Sequence, residues 1–149
     1  MTSLFIGCDH AGVEAKEVLK DFLRRHFPQF KVIDEGTSTA ESVHYPDFAK
    51  KVCSGVMKNP ENKGVLICGT GIGMSIVANR YQKIRAALIY RPQEAALSRE
   101  HNNANVLCLG ARVSSQEDLE KILKTWLETP FAGGRHQERL DRFGDLGNC

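Results

Sequence analysis

Five short apolar runs constrain this chain more than any other feature, because each is followed by a polar or glycine-rich cluster and separated from the next by helix-like sequence. The runs are Leu4-Phe5-Ile6-Gly7-Cys8, Phe30-Lys31-Val32-Ile33-Asp34, Val65-Leu66-Ile67-Cys68, Ala86-Ala87-Leu88-Ile89-Tyr90 and Val106-Leu107-Cys108-Leu109. Apolar stripes at helical spacing lie between and after them: Ala15, Val18, Leu19, Phe22 and Leu23; Phe48, Ala49, Val52, Cys53 and Val56; Leu119, Ile122, Leu123 and Trp126. Further helices are expected to begin near Ser75 and to run from Gln93 to Arg99. No run alternates cleanly between apolar and polar residues, so the strands are expected to be buried on both faces. The pattern predicts an α/β chain: a three-layer α/β/α sandwich around a five-stranded parallel sheet, Rossmann-like or flavodoxin-like. Ligands of such sheets bind beyond the carboxyl ends of the strands, where the strand order switches. Asp9-His10, Cys68-Gly69-Thr70-Gly71 and Arg112 each follow a run. If the first and third strands are neighbours, Asp9 and Cys68 face one crevice.

With 149 residues, no internal repeat and no linker-like segment, residues 1–149 read as a single domain, with the tail 143–149 the part expected to be disordered. A formal net charge of +2 is too mild to argue for nucleic acid. No apolar run approaches the roughly 20 residues needed to span a bilayer, and no secretory signal follows Met1, so a cytoplasmic location without membrane partners is expected. The five cysteines form no C-x-x-C pair, which speaks against a disulfide scaffold or a zinc site. Cys8 and Cys108 read as small buried hydrophobes. His10, His44, His101 and His136 show no metal-ligand spacing, and no metal is expected.

The stretch Cys68-Gly69-Thr70-Gly71-Ile72-Gly73-Met74-Ser75 reads as a strand end, a tight loop and a helix start. Such a loop aims backbone N–H groups at an anion or a developing oxyanion, and a thiolate at Cys68 would feel the same positive field. No Lys-Ser/Thr pair follows the last glycine, so it is not a phosphate-binding nucleotide loop. The dinucleotide spacing G-x-G-x-x-G and its later acidic residue are also missing. Counting to where a cysteine phosphatase needs its arginine gives Met74 from Cys68 and Glu14 from Cys8. What remains is proton transfer on a small anionic substrate. Arg135 and Arg139, spaced i,i+4 after Gly133-Gly134, would make a two-pronged phosphate fork on a helix. Arg112 would add a third cation. His101, read as part of a polar loop leading into a strand, is a candidate acid/base group.

The segments GCDHAG (7–12), DEGT (34–37), YPDFA (45–49), GVLICGTGIGMSIVANR (64–80), IRAAL (84–88), SREHNNANVLCLGAR (98–112) and GGRHQERL (133–140) together resemble type B ribose-5-phosphate isomerase, within the ribose/galactose sugar-phosphate isomerase group. The resemblance runs from near residue 4 to about residue 142 in matching order. It implies interconversion of D-ribose 5-phosphate and D-ribulose 5-phosphate, without metal or cofactor, by a cytosolic homodimer with active sites shared between subunits; a tetramer is also open. Carried over by position, Cys68 matches the proton acceptor and His101 the group that assists ring opening. Asp9, His10, Tyr45, Asn102, Arg112, Arg135 and Arg139 match substrate contacts, and Gly69, Thr70, Gly71, Ile72 and Gly73 match the anion-binding loop. Another branch of the family carries a glutamate base where this chain has Met74, so the chain resembles the cysteine branch. An enediolate mechanism follows as the expectation, with Cys68 moving the proton and the amides of Gly69, Gly71 and Gly73 stabilising the oxygen. Isomerisation of a six-carbon phosphate, such as allose or galactose 6-phosphate, and non-catalytic phosphosugar binding stand as alternatives.

Overall fold

In the computed structural model, which describes residues 1–146, the five apolar runs form one parallel sheet. Its strands are β1 (Thr2–Cys8), β2 (Phe30–Asp34), β3 (Lys63–Cys68), β4 (Ala86–Leu88) and β5 (Val106–Gly110). The helices are α1 (Val13–His26), α2 (Tyr45–Val56), α3 (Ile72–Ala78), α4 (Pro92–Asn102), α5 (Gln116–Glu128) and α6 (Arg135–Leu140). Strand order is β2-β1-β3-β5-β4, all pairs parallel. The first three strands keep the flavodoxin-like arrangement, while β4 and β5 are exchanged relative to it. The expected neighbourhood of the first and third strands is present. Positions 147–149 of the tail lie outside the described residues.

Burial on both faces accounts for the unbroken apolar runs. On β3, Val65 and Ile67 point into a core shared with Leu19 and Leu23 of α1 and Leu119, Ile122 and Trp126 of α5. Leu66 and Cys68 point the other way, into a core with Ala49, Val52 and Cys53 of α2 and Met74 and Ala78 of α3. Helix signals agree with these positions. Ser115 caps α5 by accepting from the Asp118 N–H at 3.2 Å, and Arg24, Arg25 and His26 occupy the last turn of α1, where cations favour the dipole. Cys8, Cys53 and Cys108 are buried; desolvation pushes the Cys8 thiol up to about 11 and that of Cys53 to about 12.

One polar device braces the sheet near Asp9. Lys16 is wholly buried, and its ammonium donates to Asp34 Oδ1 and to the Thr37 carbonyl, both at 2.7 Å. Lys20 holds Asp34 Oδ2 at 2.7 Å. Burial alone would raise the Asp34 carboxyl, but the two ammonium groups and the Gly36 N–H outweigh it and hold it below its ordinary value. The folded value lies below the unfolded one, so this contribution is complete above about pH 4 and is lost as pH falls through that range. Asp34→Asn is expected to cost about 3 kcal/mol in urea unfolding at neutral pH, because it strands the Lys16 charge. The difference from the parent protein should shrink as the parent's Asp34 is protonated.

Candidate active site

Pairing of β1 with β3 places Cys8 opposite Ile67, and the Asp9 N–H donates to the Ile67 carbonyl at 3.1 Å. Asp9 therefore lies next to Cys68 at the carboxyl end of the sheet. Its carboxylate is buried, and Oδ1 accepts from the Ala11 N–H at 2.9 Å. His10 follows in a short 3-10 turn, and its Nδ1 accepts from the Val43 N–H at 3.2 Å. That bond requires an unprotonated Nδ1, which leaves Nε2 to carry the ring proton as a donor.

Cys68 ends β3 with 5% of its surface exposed. Its Sγ accepts from the Gly71 N–H at 3.1 Å. Gly71 caps α3 at φ +80°, and a Cβ there would lie 2.9 Å from the Leu109 carbonyl carbon and oxygen. Both the backbone conformation and the available space require glycine, and the tight turn returns its amide to the sulfur. This differs from the sequence expectation, in which Gly71 faced the substrate oxygen. Among the described residues, the amides of Gly69, Thr70 and Gly73 have no acceptor, and neither does that of the fully buried Met74.

Neighbouring side chains hold the loop. The Thr70 hydroxyl accepts from the Ile72 N–H at 3.2 Å, and the Tyr90 hydroxyl donates to the Thr70 carbonyl at 2.8 Å. Tyr45, at the start of α2, lies over Gly73: a Cβ on that glycine would meet the Tyr45 Cζ at 2.6 Å. The Arg112 N–H donates to the Gly69 carbonyl at 2.9 Å, and its guanidinium hangs over Gly69. That guanidinium is exposed and has no ion pair or hydrogen bond among the described residues. Met74 is fully buried in the core and presents no titratable group to the crevice.

The other four candidate residues stand at the opposite edge of the sheet. α4 starts just beyond the carboxyl end of β4 and returns to the start of β5. Asn105, just after α4, accepts from the Gly64 N–H at 2.9 Å and the Arg85 N–H at 2.8 Å, both at the leading ends of strands. His101 and Asn102 occupy the last turn of α4, helical rather than in the expected polar loop. α6 is tied to the same place. The Ala132 N–H donates to the Glu100 carbonyl at 3.1 Å, and the His101 and His136 rings stack with centroids 4.4 Å apart. Arg135 and Arg139 do form the expected helical fork, on α6. One chain thus brings together Asp9, His10, Tyr45, Cys68, residues 69–73 and Arg112. It holds His101, Asn102, Arg135 and Arg139 a strand length away, roughly 15 Å at the usual rise per residue.

Three contributors had no role in the sequence reading. Val43 orients His10, Tyr90 braces the loop, and His136 stacks on His101. His136 lay inside the GGRHQERL segment, but nothing in its spacing distinguished it from a surface residue.

The ribose/galactose isomerase family model matches residues 4–143. The chain belongs to this family. Among ribose/galactose isomerase relatives, ribose-5-phosphate isomerase B of Escherichia coli K12 is 41% identical over 142 residues, covering 95% of this chain and 93% of its own. The structure of ribose-5-phosphate isomerase B from Clostridium thermocellum superposes with a TM-score of 0.93 at 43% identity, covering 97% of each chain. The enzyme from Mycoplasma genitalium with bound ribulose-5-phosphate gives 0.92 at 40% identity, covering 96% of this chain and 94% of its own. The type B resemblance and the α/β fold stand confirmed on these findings.

Proposed function

We propose that this chain is a ribose-5-phosphate isomerase that interconverts D-ribose 5-phosphate and D-ribulose 5-phosphate through an enediolate, as a cytoplasmic enzyme. The observation that carries the mechanism is Cys68 Sγ held by the Gly71 amide on the floor of a crevice, beside three unpaired amides. As thiolate, Cys68 removes the proton from C2 of the open-chain aldose. The electron pair moves toward C1, and the charge that develops on oxygen meets the amides of Gly69, Thr70 and Gly73. The same sulfur returns the proton to C1 as the C2 hydroxyl passes its proton to O1 and becomes a carbonyl. Oxidation at C2 balances reduction at C1 within one molecule, so no external redox partner is needed. The buried carboxylate of Asp9 faces the sugar hydroxyls. His10 Nε2–H and Arg112 take part of the phosphate.

A second copy of the chain supplies the remainder. His101 opens the furanose, Asn102 contacts the sugar, and Arg135 with Arg139 grip the phosphate, all from the partner's opposite sheet edge. Two features support an interface beside the loop. α3 exposes Ile72 and Ile76 at i,i+4 spacing, 47% and 62% open, and the guanidinium groups of Arg135 and Arg139 have no partners among the described residues. The proposed assembly is a homodimer with two composite sites.

Initial rates on ribose 5-phosphate, allose 6-phosphate and galactose 6-phosphate test the substrate. Ribose 5-phosphate is expected to lead in kcat/KM by roughly tenfold or more, the scale on which one extra carbon is discriminated. A six-carbon substrate in the lead would reassign the specificity, and binding of all three without turnover would leave only a phosphosugar-binding role.

A further inference from the structure

His136 is the one buried side chain of α6, a helix of six residues that is too short to hold itself. Its ring lies on the His101 ring at 4.4 Å, with 17° between the planes. Face-to-face stacking leaves the in-plane nitrogens of His101 uncommitted, and the His101 side chain makes no hydrogen bond among the described residues. Arg135 precedes His136 and Arg139 lies one turn away, both exposed. One ring contact and one backbone bond, from Ala132 to Glu100, join the helix carrying the phosphate fork to the helix carrying the ring-opening group.

We propose that His136 is a positioning residue, which fixes the ring plane of His101 and locks the Arg135–Arg139 fork to it, so that both arms enter the partner's crevice as one unit. This rests on the reading of His101 as the ring-opening group. A residue in this place sets two quantities together: where the phosphate sits, and how the imidazole meets the furanose oxygen. The charges around the ring agree with such a role. Burial first, then His101, Arg135 and Arg139, against Glu100, lower the proton affinity of His136 from its ordinary value. A neutral His136 lets His101 take up a proton beside it without like-charge repulsion. Acidification that charges His136 would weaken its buried seat against α4.

The test compares His136→Ala, which removes the stack, with His136→Phe, which keeps a flat ring that cannot titrate, and with His101→Asn. Each is assayed on ribose 5-phosphate, on its C2-deuterated form, and on a four-carbon aldose 4-phosphate, whose esterified O4 prevents furanose closure. Circular dichroism and sedimentation confirm folding and assembly. His136→Ala is expected to raise KM and to lower kcat/KM on ribose 5-phosphate about 10²-fold, the scale of a 1 Å misplacement. Its deuterium isotope effect should fall toward unity as ring opening becomes limiting, and the ring-blocked substrate should lose far less. His136→Phe should recover most of the rate and the isotope effect, with the acidic limb of its pH profile displaced to lower pH. The proposal is overturned if His136→Ala raises KM alone with an unchanged isotope effect, or if Phe is no better than Ala in a folded protein. If His101→Asn itself loses equally on the cyclic and ring-blocked substrates, the ring-opening reading fails, and this proposal fails with it.

Discussion

Cys68→Ala protein is expected to bind ribose 5-phosphate and to turn it over roughly 10³-fold more slowly or worse, the range in which a positioned acid/base group contributes. Alanine removes the sulfur proposed to take the carbon-bound proton. It leaves the backbone of the loop, the Arg112 guanidinium and His10 in place, so affinity for the phosphate should survive. The substitution also frees the Gly71 N–H, which now donates to Sγ at 3.1 Å, and adds an unpaired donor to the crevice. Cys68→Ser separates these effects. A hydroxyl can keep the Gly71 bond but ionises far less readily than a thiol, so turnover should stay low although no donor is left unpaired. Loss of C2 hydrogen to solvent, followed by nuclear magnetic resonance in deuterated water, reads the proton step directly. Turnover near the parent level in Cys68→Ala would end the assignment of the base.

Mixing two inactive proteins gives the second large effect. Cys68→Ala and His101→Asn homodimers should each be nearly silent on cyclic substrate. Denatured together at equal amounts and refolded, half of the dimers would be mixed. Each mixed dimer has one site with both defects and one site with neither, so activity should return to about one quarter of the parent value. The expectation follows from the sheet: Cys68 ends a strand, while His101 sits just ahead of one. If both residues acted within a single chain, mixing would restore nothing. No recovery from a refolded, assembled mixture would therefore overturn the composite site.

Much of the fold was legible because a parallel sheet buried on both faces writes itself as unbroken apolar runs, as in Val65-Leu66-Ile67-Cys68. Asp9 and Cys68 were expected to face one crevice if the first and third strands were neighbours, and β1 and β3 are neighbours; Arg112 was expected beyond the fifth run. Local chemistry hid other features. α4 continues to Asn102 because Arg99 donates to the Asn103 side chain and the Ala104 carbonyl, while Asn103 ends the helix at φ +45°. In sequence the same asparagines look like a loop. β4 ends at Leu88, short of the apolar run's end at Tyr90, whose hydroxyl turns back to Thr70. The exchange of β4 and β5 leaves no trace in periodicity, which reports strands and not their order. The separation of His101 from Cys68 within the chain did have a signal. In parallel strands a residue before one strand and a residue after another stand at opposite edges, and that rule applies to His101 and Cys68.

α4 acts as a ruler. It spans 11 residues, about 16 Å, and its length sets how far His101 stands from the edge where the helix begins. A single inserted residue would carry His101 about 1.5 Å further and swing it roughly 100° around the helix axis, off the His136 ring and away from any partner crevice. Loops that carry no residue of the site can lengthen without touching the chemistry. In the proposed homodimer the length of α4 is instead a catalytic dimension, set by the distance between two sites related by symmetry.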